Sequence, residues 1–322
     1  MDGEPTTLQE AILYFSDPQV CFDTMLAVRW PDGVVRCPTC GRTDPRFLAN
    51  QQKWECRARH PRKQFTLKTG TVFEDSPIKL DKWLVAVWLI VNAKNGISSL
   101  ELHRSIGVTQ KTAWFMLHRI RLAMQTGTFE KLSGEVEADE TFIGGKAKNM
   151  HQAKRDRLFK GGDYTNGKML VLGLLERHGK VRVKVSRSRS PQVLREHVSR
   201  HVEPGADLFT DEWAGYRVLS SDYVHQFVNH AEKYVEGKVH TNGMENFWTL
   251  LKRSIGGTYV SVEPFHLFRY VDEQAFRFNE REGTDRTRFY AALNGLNGKR
   301  LTYKDLTGKD AGPGSAGANA LA

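Results

Sequence analysis

The chain has 322 residues, four of them cysteine, with a formal net charge of +10 at neutral pH and an isoelectric point near 9.4. This length exceeds one average domain and is ample for a buried core, and so few cysteines exclude a disulfide-built extracellular scaffold. The basic excess points to an anionic partner without identifying it. The longest apolar run, WLVAVWLIV from Trp83 to Val91, falls well short of the roughly 20 residues of a membrane helix.

The polar, acidic beginning MDGEPTTLQEAIL has no basic region leading into an apolar one, so a cytoplasmic protein without a secretion signal is expected. Residues 1–33 read as one helix, over 8–15, and a connector. Residues 34–77 mix cysteines with short β-branched and aromatic stretches, as short strands around a metal would. Cys37 and Cys40 have the C-x2-C spacing of a metal-binding knuckle, and Cys56 and His60 supply a second pair. Three thiolates and an imidazole suit tetrahedral Zn²⁺, and four protein ligands leave no open position, so the expected ion is a single structural one. Cys21 stands outside this spacing and reads as a small buried residue.

Residues 78–125 carry three helical patterns. The first covers 80–93 and stops at Asn95-Gly96. The second covers 98–105, with Ser98 as N-cap and Glu101 completing a capping box. The third runs from Thr109 to Gln125 after a turn at Gly107. Trp114, Leu117 and Ile120 recur on one face and should pack inward. Thr109, Gln110 and Lys111 then sit at the exposed start of the third helix, where a recognition helix meets base edges. The pair is a helix-turn-helix candidate, with Lys111 and Arg119 as DNA-binding residues; the pattern also fits a three-helix packing unit with a solvated basic face. Residues 126–134 read as a linker.

From Glu135 the pattern changes to short strands (VEADETFIGG, KMLVLGLLER, KVRVKVSRS), a helix over 191–202, a strand ending LFTD, the strand VHQFVNH, and a helical region over 242–280 broken at GGTYVSVEP. Mixed strands and helices make 135–303 an α/β domain within a multidomain α+β chain, and the Gly/Ala-rich tail over 304–322 reads as disordered. Two-metal phosphodiester chemistry needs converging carboxylates around ions ~3.5–4 Å apart, and hard oxygen ligands select Mg²⁺ or Mn²⁺. Strand alternation places Glu135, Glu137 and Asp139 on one face and cannot choose among them. Asp211 ends an apolar run at a sheet edge. Glu245 opens a helix on which Trp248 and Lys252 share its face, Lys252 about 10.5 Å further along, where it could hold phosphate. Lys146 begins a basic stretch to Lys160 that either grips a DNA backbone or is a solvated loop. His240 and Asn242 flank Glu245 as assistants or as helix caps, and Trp213 and Tyr216 are core residues or base-stacking platforms.

VEADETFIGGK, LFTDEWAGY and HTNGMENFWTLLKR, in this order, resemble the three catalytic blocks of DDE transposases of bacterial insertion sequences. CPTCGR and KQFTLKTGTVFEDS resemble the subgroup with an N-terminal zinc ribbon, so the likeness covers about 15–285. The resemblance implies a ribonuclease-H-like catalytic domain in which Asp139, Asp211 and Glu245 hold two Mg²⁺ or Mn²⁺ ions. It singles out Asp139 over Glu135 and Glu137, and it gives Lys252, with Arg253 beside it, contact with element-end DNA. Implied partners are double-stranded DNA, both terminal repeats and target, and a second copy of the chain. The departure is Cys56-R-A-R-His60, where relatives carry a second C-x2-C. The competing readings are a zinc-ribbon DNA-binding regulator with an inactive catalytic domain, and a nuclease of the same fold that does not join ends.

Overall fold

The computed structural model describes residues 3–125, 130–144, 151–152, 168–211, 214–219, 221–228 and 240–308. They form two compact units, one built from the chain up to Thr126 together with a returning segment from Glu282, the other running from Gly127 to Arg281.

In the first unit, α1 (Leu8–Tyr14) starts at a capping box between Thr7 and Glu10. A second helix, α2 (Pro18–Arg29), follows at once, where the sequence reading had placed a connector. Asp17 caps it, Pro18 occupies its first turn, and Cys21, Thr24 and Met25 are buried. The Cys21 thiol donates to Phe15 O at 3.1 Å, as befits a buried cysteine outside the metal cluster. Three short strands, β1 (Arg46–Leu48), β2 (Lys53–Glu55) and β3 (Gln64–Phe65), pair antiparallel in that order. Trp54 on β2 anchors them, its ring 4.9 Å from Phe47 and stacked on Phe22 and Phe65.

Helix α3 (Leu80–Asn92) buries Trp83, Leu84, Val87, Trp88 and Val91, so the longest apolar run of the chain is a core helix. Among the described residues no helix is long and apolar enough to cross a membrane. Helices α4 (Ser99–Ile106) and α5 (Gln110–Met124) carry the expected caps: the Ser98–Glu101 box, Gly107 in the left-handed region at φ 62°, and Thr109 accepting from Thr112 N.

The second unit is a five-stranded mixed sheet of order β6-β5-β4-β7-β8, from β4 (Glu135–Ile143), β5 (Met169–Glu176), β6 (Val181–Ser186), β7 (Asp207–Asp211) and β8 (Val224–Val228). β5 runs antiparallel to β4 and β6, whereas β7 is parallel to β4 and β8. Helix α6 (Pro191–His201) covers one face, where Leu194 and Val198 pack with Val136, Ala138, Leu172 and Leu174. α7 (Asn242–Arg253) and α8 (Leu267–Asn279) cover the other, packing Phe247, Trp248 and Val271 with Val171, Leu175 and Val185. A sheet buried on both faces explains why β5 reads as an unbroken apolar run. This strand order and polarity are those of a ribonuclease-H-like fold.

Residues 126–129 lie outside the described set, but Leu132 of the expected linker is buried in the second unit, its N–H donating to His201 O at 2.7 Å. The expected catalytic boundary at 303 is corrected too. α9 (Asp285–Asn294) belongs to the first unit, its Phe289 ring 5.3 Å from Trp88 and 5.4 Å from Phe15. A capped turn of helix, α10 (Tyr303–Thr307), buries Leu306 where the tail had been expected to begin as disordered. Both were hidden because their rings meet partners far back in the chain, Phe289 with Phe15 and Trp88, and Tyr303 with Phe115.

Candidate active site

Beyond the last paired residues of β4 and β7, Glu137 opposite Phe209, each strand runs two residues on to an aspartate. These are Asp139, in the middle of β4 just past the point where its pairing with β7 stops, and Asp211, the last residue of β7. Oxygens of Asp139, Asp211 and Glu140 lie within 4.8 Å of one another. The structure therefore brings together two of the three expected acids and adds one that alternation assigned to the opposite face.

Asp139 is fixed from the α7 side. The Trp248 indole N–H donates to its Oδ2 at 2.9 Å, and the Glu140 amide donates to Oδ1 at 2.8 Å. Gly173, cross-strand from Asp139, makes room for this: a Cβ there would sit 2.2 Å from Met244 Cε and 2.8 Å from the Trp248 ring. Burial pushes the Asp139 carboxyl up to about 6, the neighbouring Glu140 and Asp211 charges add to the rise, and the two hydrogen bonds oppose it. Three hard oxygen donors with one carboxyl so destabilised as an anion suit a Mg²⁺- or Mn²⁺-class cation.

Glu137, the rival on the same strand face, is committed elsewhere. It is 1% exposed, pairs with Arg177 Nε at 3.1 Å, and accepts the Met244 amide of α7 at 3.0 Å. Arg177 also pairs with Glu135 at 3.1 Å and donates to His240 O at 2.9 Å. Thr241, the α7 N-cap, makes no side-chain cap, so Glu137 caps that helix from the sheet. His240 joins this network, and Asn242 is exposed in the first helical turn.

Glu245 does not join the carboxylate group. It is exposed in the first turn of α7, one turn before Trp248. Lys252 and Arg253 are exposed in the last turn of the same helix. Tyr216 is a buried core residue rather than a stacking platform, its hydroxyl donating to Glu140 Oε2 at 2.7 Å. Lys146, the stretch to Lys160 and Trp213 lie outside the described residues, apart from His151 and Gln152.

In the first unit, Lys111 is exposed with its ammonium 4.7 Å over the Tyr303 ring. Arg119 is corrected: it is 5% exposed, donates to Leu301 O at 3.1 Å and Glu74 O at 2.9 Å, and lies over Phe115. It ties the returning segment to the helices instead of facing DNA, and Arg121 and His118 are buried as well.

The four expected zinc ligands converge, their donor atoms within 4.8 Å of one another. Cys37 Sγ is 3.5 Å from His60 Nε2 and Cys40 Sγ is 3.6 Å from Cys56 Sγ. A tetrahedron with Zn–S bonds of about 2.3 Å has sulfur–sulfur edges near 3.8 Å, so the cage fits Zn²⁺. His60 Nδ1 lies 2.7 Å from Pro61 O, a contact that turns Nε2 toward the thiols and makes His60 the fourth donor despite its spacing.

Two family models match the chain: a transposase zinc-ribbon domain over residues 16–60 and an ISXO2-like transposase domain over 131–279. A protein of transposable element ISH50 from Halobacterium salinarum is 28% identical over 238 residues, covering 70% of this chain and 79% of that protein. A transposase-like protein from Haemophilus influenzae is 30% identical over 86 residues, covering 26% of this chain and 69% of its own length. The zinc cage in the ribbon, the ribonuclease-H-like sheet and the acids it carries agree with both matches: the chain belongs to the ISXO2-like transposases that carry an N-terminal zinc ribbon.

Proposed function

We propose that this transposase binds the terminal repeats of its insertion sequence, hydrolyses DNA at those ends to leave 3′-hydroxyls, and joins these to target DNA. The observation that carries the reading is the convergence of Asp139 and Asp211 with a third carboxylate where the pairing of β4 with β7 ends, Asp139 pushed up to about 6. Two divalent cations would supply activation of the attacking oxygen and stabilisation of the leaving one. The side chains then have separate tasks. Trp248 holds Asp139 in one orientation, and Glu137 sets where α7 begins and so where Glu245 is delivered. Glu245, a single helical turn from Trp248, offers a further carboxylate from α7. Lys252 and Arg253 present positive charge for the DNA backbone. Lys111, at the open end of α5, serves recognition of the repeats. Two ends must react together, so the active species is a dimer or larger.

Full-length protein incubated with labelled element ends and Mg²⁺, with cleavage and joining read separately, tests this. Wild type is expected to cleave and join, and Asp139→Asn to lose both by about a hundred- to a thousandfold. Cleavage without joining would instead identify a nuclease, and full strand transfer by the Asn variant would overturn the assignment.

A further inference from the structure

We infer that Glu140 is a cation-ligating carboxylate of this site, and that buried Tyr216 is the positioning residue that aims it. The inference rests on the metal-dependent reading above and deepens it: the third carboxylate of that convergence becomes a ligand in its own right, beside the expected Asp139, Asp211 and Glu245, and gains a support in Tyr216.

Asp139 and Glu140 are consecutive on β4 and leave the strand on opposite faces, Asp139 toward α7 and Glu140 toward the short 3-10 segment Ala214–Leu219. Two such carboxylates ordinarily diverge. Here an oxygen of each lies within 4.8 Å of the other and of Asp211. Something must hold Glu140 against that repulsion, and the structure shows what does. Tyr216, 0% exposed, donates to Oε2 at 2.7 Å, and Arg189 pairs with Oε1 from outside. The Glu140 side chain is only 4% exposed, so it is an enclosed carboxyl group with one neutral and one cationic partner.

Each carboxylate oxygen has two acceptor directions, so one contact apiece leaves Glu140 able to bind a cation. Charge points the same way, since three carboxylates within 4.8 Å of one another repel and a cation among them relieves that repulsion. A Tyr–carboxylate hydrogen bond behind a metal-facing oxygen is also the way outer partners fix ligand orientation. Glu140 is thus a donor held from the sheet, and Glu245 an exposed carboxylate on α7.

The test is Mn²⁺ binding to the full-length protein without DNA, read by loss of the free-ion paramagnetic resonance signal, with folding checked by circular dichroism. Glu140→Gln is expected to weaken binding at least about tenfold. Tyr216→Phe, which keeps every charge, is expected to weaken it about tenfold and to broaden the bound-Mn²⁺ spectrum. Wild-type affinity in Glu140→Gln, with binding lost in Asp139→Asn, would overturn the inference and leave the metal reading standing. Wild-type affinity in both variants would overturn the metal reading itself. If Glu140→Gln does not fold, Tyr216→Phe decides, since unchanged affinity and spectrum there would sink the inference.

Discussion

Asp139 and Trp248 are held together by one hydrogen bond whose loss has a readable signature. Trp248→Phe keeps the ring packed over Gly173 and deletes only the N–H that reaches Asp139 Oδ2. A hydrogen bond to a charged group contributes about 1.5–3 kcal/mol, and loss of a ligand-orienting partner lowers activity about 10–100-fold. End cleavage in Mg²⁺ should fall within that range while the fold persists; unchanged cleavage would show that Asp139 needs no orienting donor. The same carboxylate makes stability depend on pH. Its folded-state value of about 6 lies above that of the unfolded chain, so folding favours the protonated form. The contribution is fully present below pH ~4 and is lost as pH rises through about 6, a change of roughly 3 kcal/mol in metal-free protein. Asp139→Asn should flatten that pH dependence in thermal melts, and Mg²⁺ at neutral pH should stabilise wild type alone. A variant that keeps the wild-type slope would place the effect on another group.

At the scale of elements, α7 is the part that brings chemistry to the sheet, and its start is set by a side chain from β4. Glu137→Ala would leave Arg177 with less compensation and the first turn of α7 uncapped, a loss of about 3 kcal/mol in urea unfolding. Glu137→Gln keeps an acceptor for the Met244 amide and should lose about 1–2 kcal/mol. Equal losses in the two would mean that the ion pair matters and the cap does not. This interaction also shows where sequence legibility ended. Alternation put Glu135, Glu137 and Asp139 on one face, and resemblance chose Asp139. The physical reason for the choice is Arg177, at the end of β5, which engages the other two. A partner on another strand leaves no trace in the spacing of the first. The helix caps and the ribbon knuckle were legible because their partners lie within a few residues. Glu140 was missed because alternation sent it to the far face. Arg119 was misassigned because what buries it, Leu301 and Glu74, lies on distant segments.

Across the whole molecule the two units depend on different stabilisers. The ribbon has strands of only two or three residues, too short to order themselves, and the Cys37–Cys40–Cys56–His60 cage ties their turns. The catalytic sheet is buried on both faces and needs no such tie. A strong zinc chelator is therefore expected to change Trp54 fluorescence and abolish end binding. Hydrogen-exchange protection in β4, β5 and β7 should stay; its collapse on chelation would show that the sheet relies on the ribbon.

The first unit closes only with residues from after the second. Phe289 fills the space between Trp88 and Phe15, and Leu296 O receives the Val72 amide. During synthesis the ribosome must therefore deliver the whole catalytic sheet before the N-terminal helices gain their last partner. A product that stops near Arg281 would carry every acid of the active site beside an N-terminal unit with its core exposed. Completion of the chain thereby becomes a condition for an intact N-terminal unit, a form of quality control written into the order of the segments.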